Sequence, residues 1–303
     1  MALQVCSFLQ LVFFICSLND AAGKVYNITT NSNPADLCSA TPCLTLSTLA
    51  TRWNYYVLDY SNTTLVFLPG THYLTANMSV SNFNNFSMTS ENTTAKIVCG
   101  DNSHIHFNCS KYIGISNLEF IGCGGNQVKQ VKEFVVQYVV FKGQNTSSMT
   151  LAIIETTAQI VDSMFTFNRG SAIIAKASET NVSRCKFENN GALHGGAIYA
   201  KYSIITMSDT IFTNNSAVIM GGVLFSLGSI VTIKECKFEN NTVNSGEDNI
   251  MISLLYYYRV GPGGGVLHST ESNITIVAST FNGNAANSAA IQSRSGGAVF
   301  HSI

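Results

Sequence analysis

The chain contains few charged residues and few prolines for its length. Only 11% of its 303 residues are Asp, Glu, Lys or Arg, which is less than half the usual share of about 25% in globular domains. The net charge is −1, so there is no electrostatic footprint for nucleic acid or an anionic membrane. Proline is nearly absent after residue 70, and this favours uninterrupted strand ladders because proline cannot donate a ladder hydrogen bond.

Long apolar runs are also missing, since none reaches the ~20 residues that a membrane-spanning helix needs. The run from Phe8 to Leu18 precedes Ala21-Ala22-Gly23. This pattern is typical of a secretory signal peptide over residues 1–23, although no Lys or Arg precedes the run. The alternative is a buried apolar N-terminal segment. We expect a secreted, extracellular or cell-surface protein with no membrane span in this chain.

Potential N-glycosylation sites support export. Asn-x-Ser/Thr sequons are acceptors in the secretory pathway. They occur at Asn27, Asn62, Asn77, Asn85, Asn92, Asn108, Asn145, Asn181, Asn214, Asn240 and Asn273. The number is somewhat higher than the Asn, Ser and Thr content would give by chance, so we predict a glycoprotein.

The cysteines do not form a recognisable metal site. Loss of the signal peptide removes Cys6 and Cys16 and leaves an odd number, so at least one cysteine is unpaired. No pair of closely spaced cysteines recurs as a zinc site requires. The sequence leaves open the disulfide pairing among Cys38, Cys43, Cys99, Cys109 and Cys123.

One hexapeptide occurs twice, as RCKFENN over 184–190 and ECKFENN over 235–241. A catalytic centre normally occurs once in a chain, so the duplicated hexapeptide suggests a structural role. Further phenylalanines in the same context are spaced by 21 to 26 residues, with one longer interval of 43. A sequence period in the twenties indicates a solenoid. The phenylalanine column is Phe120, Phe141, Phe165, Phe187, Phe212, Phe238 and Phe281.

Other positions repeat in register with the phenylalanines. Apolar residues recur five and seven positions before most of them, and small or apolar residues recur two positions before. Three positions after most of them stands an asparagine. The asparagine column is Asn168, Asn190, Asn215, Asn241 and Asn284. We predict that the phenylalanine and asparagine columns form structural ladders.

The repeat predicts three short strands per coil. Alternating apolar residues indicate a strand with one buried face. Two residues suited to turns separate the apolar pair from the small-x-Phe pair. A third strand follows in GGAIYA at 195–200 and GGVLFS at 221–226, whose glycines suit sharp turns. The predicted fold is an all-β, right-handed parallel β-helix with coils of about 22–26 residues.

We predict that an N-terminal cap region over residues 24–62 precedes a β-helix over residues 63–303. The stretch 36–56 has helix-like periodicity and would cover the first coil's edge. An insertion at about residues 244–264 explains the longest repeat interval. The chain stops within a coil, at GGAVFHSI. We therefore expect a fragment or a truncated gene model.

The pattern Phe-x-x-Asn followed by Gly-Gly-Ala-Ile resembles the repeat of chlamydial polymorphic outer-membrane proteins. The matches are Phe187/Asn190 with 195–198, Phe212/Asn215 with 221–224, and Phe281/Asn284 with 296–299. Over about residues 60–303 the chain is similar to pectin-lyase-like β-helix proteins. The resemblance implies a surface-exposed protein with an adhesive role, whereas the sequons favour a eukaryotic secretory route. The motif is specific for a fold and weak for an activity.

No catalytic constellation is recognisable. Glycoside hydrolysis needs two carboxylates flanking one bond, and lyases need clustered acids for calcium. The chain has seven aspartates, none adjacent to another. His194 in LHGG superficially resembles a catalytic Gly-His-Gly, but it lies at the recurring Gly-Gly junction, so we expect a structural or surface role.

Three further groups of residues are candidates for binding a ligand. Stacking would place Arg184 between Asp162 and Asp209, with Glu235 one coil further, as an alternating-sign ladder. Asp209 beside Glu235 could instead be a weak calcium or sugar contact. His104 and His106 share a strand face, but no third metal ligand is evident.

An inserted loop is the predicted recognition surface. RVGPGGG at 259–265 lacks the Lys-Ser/Thr of a phosphate loop. Exposed tyrosines are common binding anchors. The predicted recognition loop is Tyr256, Tyr257, Tyr258 and Arg259.

We therefore expect a non-catalytic structural, adhesive or ligand-binding protein without a cofactor or a metal. Its partner would be an extracellular glycan or protein. The alternative is a diverged polysaccharide lyase or glycoside hydrolase. Cys185 and Cys236 would lie two coils apart, about 9–10 Å. Because a disulfide tolerates Cα separations up to ~7 Å, we predict that they are not bridged.

Overall fold

The structure is a computed structural model. It describes residues 24–30, 43–56, 62–90, 93–100, 103–144, 149–244, 265–286, 291–294 and 298–301. These residues form three long parallel sheets, named A, B and C, and a short fourth sheet, D. The chain visits A, B and C in turn and then starts the next coil, so the predicted β-helix is confirmed.

Sheet A holds the strands with the alternating apolar pair. Each strand is parallel to the next one in the stack. In stacking order they are β2 (Cys43–Leu44), β1 (Lys24–Ile28), β3 (Asn62–Phe67), β6 (Asn85–Ser90), β9 (Tyr112–Ser116), β12 (Glu133–Gln137), β15 (Thr157–Val161), β18 (Glu179–Ser183), β22 (Ile204–Ser208), β26 (Ile230–Lys234), β30 (Asn273–Val277) and β33 (Ala298–His301).

Sheet B carries the phenylalanine column. Its strands are β4 (Thr71–Leu74), β7 (Ala95–Cys99), β10 (Leu118–Ile121), β13 (Val140–Lys142), β16 (Met164–Thr166), β19 (Lys186–Glu188), β23 (Ile211–Thr213), β27 (Lys237–Glu239) and β31 (Thr280–Asn282). Most of these strands have three residues, so a single inward side chain per coil fills this side of the core.

The Gly-Gly pairs at 195–196, 221–222 and 264–265 precede strands of sheet C, whereas GGAVFH at 296–301 contributes β33 to sheet A. Sheet C has nine strands. They are β5 (Met78–Ser81), β8 (Ile105–Asn108), β11 (Asn126–Lys129), β14 (Leu151–Ile154), β17 (Ile173–Lys176), β21 (Ile198–Lys201), β25 (Leu224–Leu227), β29 (Leu267–Thr270) and β32 (Ile291–Arg294). Sheet D lies between B and C and comprises β20 (Gly191–His194), β24 (Ser216–Met220) and β28 (Thr242–Val243). The sequence did not reveal sheet D.

The predicted register is confirmed at every repeat. Phe187 pairs with Phe165 on one side and with Phe212 on the other. The rings of the phenylalanine column stack with centroids 4.7–5.1 Å apart and planes within 14° of parallel. Offset stacking of this kind stabilises aromatic pairs beyond the area that they bury. The column therefore forms one continuous side of the hydrophobic core.

Each coil turns at residues with left-handed backbone conformation. At the corner between sheets A and B these are Asn117, Tyr138, Asp162, Arg184, Asp209, Glu235 and Ala278, with φ between 48° and 55°. Such a φ is unfavourable for most side chains. The two-residue bend thus consists of the last residue of the A strand and one left-handed residue.

The asparagine column forms a ladder at the corner that leaves sheet B. Asn190 Nδ2 donates to Asn215 Oδ1 (3.0 Å) and to the Phe165 carbonyl (2.9 Å). The Asn190 backbone N–H also donates to Asn215 Oδ1 (3.2 Å). The same contacts recur from Asn168 to Asn284. These side chains satisfy backbone groups that the bend would otherwise leave unpaired in the interior.

Hydroxyl groups play the same part at the corner between sheets C and A. The Ser178 N–H donates to Ser203 Oγ (3.2 Å), and the Ser203 N–H donates to Ser229 Oγ (3.1 Å). Ser229 N–H continues the ladder to Ser272 Oγ (3.0 Å). All four serines are buried. This serine ladder is a second satisfied polar column that the sequence analysis did not identify.

Cys185 and Cys236 are buried, unpaired thiols at the A-to-B corner. Thr210 lies between them, and the Cys185 N–H donates to Thr210 Oγ1 (3.3 Å). The prediction that they are not bridged is confirmed. Two other cysteines of neighbouring coils do form a disulfide, Cys99–Cys123, with Cα atoms 5.0 Å apart. Cys109 is disulfide-bonded as well.

The Gly-Gly pairs stand where coils approach closely. A Cβ atom added to Gly222 would lie 2.3 Å from the Gly265 carbonyl oxygen and 2.5 Å from that of Thr242. Gly221 has φ +64°. The glycines are therefore required both for the turn and for the contact between neighbouring coils.

The N-terminal region contributes strands as well as a helix. Helix α1 (Leu46–Tyr56) begins after Thr45, whose Oγ1 accepts a hydrogen bond from the Thr48 N–H (3.2 Å), as an N-cap does. Leu46 and Leu49 are buried in the core. β1 pairs with β3, so part of the predicted cap region continues sheet A.

Candidate ligand-binding surface

The outer face of sheet C carries an aromatic strip. Alternation turns one side chain of each strand inward and the next outward. Tyr199 of β21 and Phe225 of β25 stack with centroids 5.2 Å apart, and Phe225 stacks on His268 of β29 at 5.7 Å. The His194 ring packs against Phe225 at 5.2 Å, and burial lowers its pKa. Tyr199 and Phe225 are half-buried and His268 is buried, so the accessible apolar surface of the strip is that of Tyr199 and Phe225.

Two depressions of about 500 Å³ each lie beside this strip. They share Ile174 and Tyr199, and we name the combined feature the sheet C groove. The first depression is lined by Ile154, Glu155, Ile174, Lys176, Ala177, Tyr199, Lys201 and Tyr202. The second is lined by Met149, Arg169, Gly170, Ser171, Ile174, Gly191, Ala192, Leu193, His194, Tyr199, Ser216 and Val218. Residues of sheet D thus form one wall of the groove.

Cationic side chains stand at both ends of the groove. Lys176 and Lys201 are paired neighbours on sheet C, and the Lys201 ammonium lies 5.3 Å from the centroid of the Tyr202 ring. Arg169 belongs to the second depression. Among the described residues, none of these cations lies within ion-pair distance of a carboxylate. The groove therefore combines an aromatic floor with three cationic side chains that form no ion pair among the described residues, and the carboxylate of Glu155 belongs to the same lining.

The ion pairs of the described residues lie elsewhere. Arg184 Nε and Nη2 donate to the two carboxylate oxygens of Asp162 at 2.8 and 2.9 Å. This hydrogen-bonded pair lowers the pKa of Asp162. Lys234 Nζ lies 3.3 Å from Glu235, and Asp209 belongs to the same exposed corner. Of the predicted alternating-sign ladder, the structure shows the Asp162–Arg184 step, and Asp209 and Glu235 follow at the next two corner positions without a cation between them.

The candidate glycosylation sites lie on several faces, with four on the outer face of sheet A. Each sequon asparagine among the described residues is exposed or half-buried, whereas the ladder asparagines are buried, apart from half-buried Asn284. The outer face of sheet A carries Asn62, Asn85, Asn181 and Asn273. Asn27 lies in β1, Asn77 precedes β5, Asn108 lies in β8, and Asn214 and Asn240 stand at the corner after sheet B.

In two places a sequon asparagine is followed directly by a ladder asparagine. Asn214 is exposed with φ 53°, and the next residue, Asn215, is a buried ladder member. Asn240 and Asn241 repeat this arrangement. Asn92 and Asn145 lie outside the described residues. No sequon asparagine lies on the described sheet C strands from β11 to β29.

The other predicted groups come together only in part. His104 and His106 stack on the outside of sheet C with ring centroids 4.2 Å apart. Within the described ranges, no three His, Cys, Asp or Glu residues are grouped as a metal site requires. The predicted recognition loop, Tyr256–Arg259, falls outside the described residues and stays a prediction.

Sequence reasoning missed Tyr199, Phe225 and the two lysines of the groove. Their signal lies in IIAK, IYAK and LFSL, the strands that follow Gly170-Ser171 and two of the Gly-Gly pairs. The inward residues of these strands repeat and identify the fold. The outward residues of the same strands differ from coil to coil, and they include the aromatic and lysine side chains of the groove.

Comparison with known proteins identifies the repeat region. A family model described as a right handed beta helix region matches residues 103–302, about two thirds of the chain. No curated protein and no solved structure matches the chain. Among the described helices, none has the length and apolar character that would let it cross a membrane.

Proposed function

Because the chain belongs to the right-handed β-helix family, which sets its fold but not its activity, we propose a binding role for it. The protein is a secreted or cell-surface glycoprotein that binds an extracellular glycan or protein through the sheet C groove. Its role is structural or adhesive and does not involve catalysis. The observation that carries the proposal is the groove's aromatic floor with unpaired cations at both ends.

The placement of the sequons supports this choice of face. Four sequon asparagines stand on the outer face of sheet A, where attached glycans would cover the surface. None of the described residues that line the sheet C groove is a sequon asparagine, so the lining itself would carry no N-glycan. The likeness of the repeat to chlamydial surface proteins and the apparent signal peptide also favour an exposed, adhesive role.

An engineered glycan tests the surface directly. Lys201→Asn creates the sequon Asn-Tyr-Ser at 201–203, beside Tyr199 in the groove. A glycan there should abolish binding of the secreted full chain to immobilised extracellular polysaccharides, glycoproteins and cell surfaces. Occupancy is checked by the mass lost on enzymatic removal of the N-glycan.

Two control variants distinguish obstruction by the glycan at position 201 from the effect of a glycan elsewhere and from the loss of the lysine charge. Thr206→Asn creates Asn-Met-Ser on the outer face of sheet A and should leave binding unchanged. Lys201→Gln removes the charge without adding a sequon, so the difference between it and Lys201→Asn measures obstruction alone. Full binding by the occupied Lys201→Asn protein would remove the groove from the proposal.

The diverged polysaccharide lyase or hydrolase is tested separately. The full chain is incubated with acidic and neutral polysaccharides, and reducing ends and unsaturated products are measured. We expect no turnover above background. Robust turnover that disappears on substitution of a single carboxylate would contradict the non-catalytic role.

A further inference from the structure

We infer that the N-glycan of Asn273 packs against an exposed apolar patch on the outer face of sheet A. The patch consists of Ile204 and Ile230 with Tyr202 at its border, and we name it the sheet A patch. The inference rests on the glycoprotein part of the proposed function. It assigns one candidate glycosylation site a role in covering the protein's own surface.

The two isoleucines stand where neighbouring coils carry polar residues. β22 and β26 place Ile204 and Ile230 at their first outward position, with exposed fractions of 47% and 51%. At the same position β12, β15, β18 and β30 carry Glu133, Thr157, Glu179 and Asn273. Single exposed apolar residues are ordinary on protein surfaces. Ile204 and Ile230, however, are paired residues of adjacent strands and form a continuous apolar surface.

Tyr202 extends this surface at the corner between sheets C and A. It is 61% exposed and also lines the first depression of the sheet C groove. A Cβ atom added to Gly228, at the same corner of the next coil, would lie 2.6 Å from two carbons of the Tyr202 ring. The ring therefore lies against Gly228, which leads through Ser229 into Ile230.

The glycan attachment site lies directly beside the patch. Asn273 is paired with Ile230 in adjacent parallel strands, which lie about 4.8 Å apart in a sheet. Ile204 is one strand further, at about 10 Å from Asn273. All three side chains point outward from the same face of sheet A. The first sugar on Asn273 can therefore reach Ile230, and the next sugar can reach Ile204.

The chemistry of the first sugar suits an apolar contact. In an N-glycan this sugar is N-acetylglucosamine, bound to the amide nitrogen of the asparagine. Its ring has C–H groups on its faces, and its acetamide group ends in a methyl. Contact with these groups removes apolar surface of Ile230 from water, which is favourable in proportion to the area covered.

The same placement disfavours a protein partner on the patch. A second sequon asparagine, Asn181, is paired with Thr206 and so lies diagonally beside Ile204. A protein that lay flat on the two isoleucines would meet a glycan on either side of them. The glycan of Asn273, by contrast, is covalently held next to Ile230, so its contact avoids the entropy cost of bringing in a separate molecule.

Removal of this one glycan tests the inference with the full chain secreted from eukaryotic cells. Glycopeptide mass spectrometry measures the occupancy of Asn273, and we expect the site to be occupied. Asn273→Gln should lower Tm by about 1–3 °C. It should also raise the rate at which hydroxyl radicals oxidise Ile230 and Tyr202, because the covered side chains become accessible. Thr275→Val removes the same sequon without changing Asn273 and should have the same two effects.

Two controls separate the contact from the mere presence of a glycan. Asn181→Gln removes a glycan from the same face of sheet A, where the paired neighbours Gln159 and Thr206 are polar. It should change neither Tm nor the oxidation of Ile230. Ile230→Thr removes the apolar partner, so that adding Asn273→Gln to this variant should lower Tm by less than it does in the wild type.

The outcomes separate this contact from the proposed function. An unoccupied Asn273 in a chain glycosylated elsewhere, or equal oxidation of Ile230 with and without the glycan, would overturn the inference and leave the glycoprotein role intact. Equal losses of Tm for Asn273→Gln and Asn181→Gln would show a general effect of glycans and would also overturn it. Absence of N-glycans from every sequon would contradict the glycoprotein role itself.

Discussion

Phe212 and Phe225 belong to the same coil but face opposite sides of the wall. Phe212 is fully buried and stacks between Phe187 and Phe238. Phe225 points outward and is half-buried between Tyr199 and His268. The inner position is phenylalanine in seven successive coils. At the outer position, by contrast, every coil has a different residue from Gln127 through Ala152, Ile174 and Tyr199 to His268.

This difference reflects what each face must satisfy. An inner side chain is surrounded by the coils above and below, so one size and shape fits every repeat. An outer side chain meets two lateral neighbours and, except at buried Ala152 and His268, solvent, so many residues are tolerated there. Residues that repeat from coil to coil in this chain are therefore packing residues. A specific ligand surface can arise only at the outer positions, where the residues differ.

The largest expected contrast is between the two phenylalanines themselves. Phe212→Ala should destabilise the protein by about 3–5 kcal/mol, because it leaves a cavity within the stack. Phe225→Ala should cost about 1 kcal/mol, since it loses only exterior aromatic contacts. Urea unfolding followed by circular dichroism measures both. Similar losses for the two variants would break the distinction between inner and outer faces.

A smaller contrast is expected between neighbouring asparagines. Asn215→Ala should cost roughly 2–3 kcal/mol, because the buried Asn190 N–H and the Phe187 carbonyl lose their partner. Asn214→Asp keeps a residue that tolerates the left-handed conformation, and its cost should stay below about 0.5 kcal/mol. Hydrogen exchange of the coil, read by mass spectrometry, should show opening only in the Asn215 variant.

The smallest effect concerns the thiols in the interior. Burial raises the pKa of Cys185 and Cys236 to about 11, so the folded state favours the neutral thiol. This contribution to stability is complete below the unfolded pKa of roughly 8.5 and is lost as pH rises through about 11. At pH 8, iodoacetamide should label neither thiol in the native protein and both in denaturant.

Serine substitutions complete this test. Cys185→Ser and Cys236→Ser should each change stability by less than about 1 kcal/mol, because other coils already place Ser163, Thr210 and Ser279 at this corner with satisfied hydroxyls. A Cys185–Cys236 linked peptide in the mass spectrum would contradict the register of the coils.

Much of the architecture was predictable because packing repeats. The phenylalanine column identified the register of sheet B, and the structure places the same residues opposite one another. Sheet D and the serine ladder were not predicted. The residue before each ladder serine differs from coil to coil, as Ala177, Tyr202, Gly228 and Glu271 show. β20 and β24 have little apolar alternation of their own.

The candidate site was less predictable. Tyr256–Arg259 form a local cluster of tyrosines in the sequence and were therefore predicted as a recognition loop. Tyr199 and Lys201 lie within a repeat, and nothing in the sequence distinguishes them from its other residues. Lys176 and Lys201 are 25 positions apart in sequence, and only the stacking of β17 on β21 brings them together. Glu155 enters the same groove from the preceding coil, and Arg169 from the turn before β17.

The sequence alone determined the solenoid, its period and the identity of its inner columns, because each coil must bury the same few side chains against its neighbours. Only the tertiary structure decided which outward residues share a surface. Outward positions carry no repeated constraint, and their proximity depends on where each coil turns. The residues of the sheet C groove are distant in sequence, and so are the sequons on the face of sheet A. Each set shares a surface only because coils of unequal length stack in one fixed register.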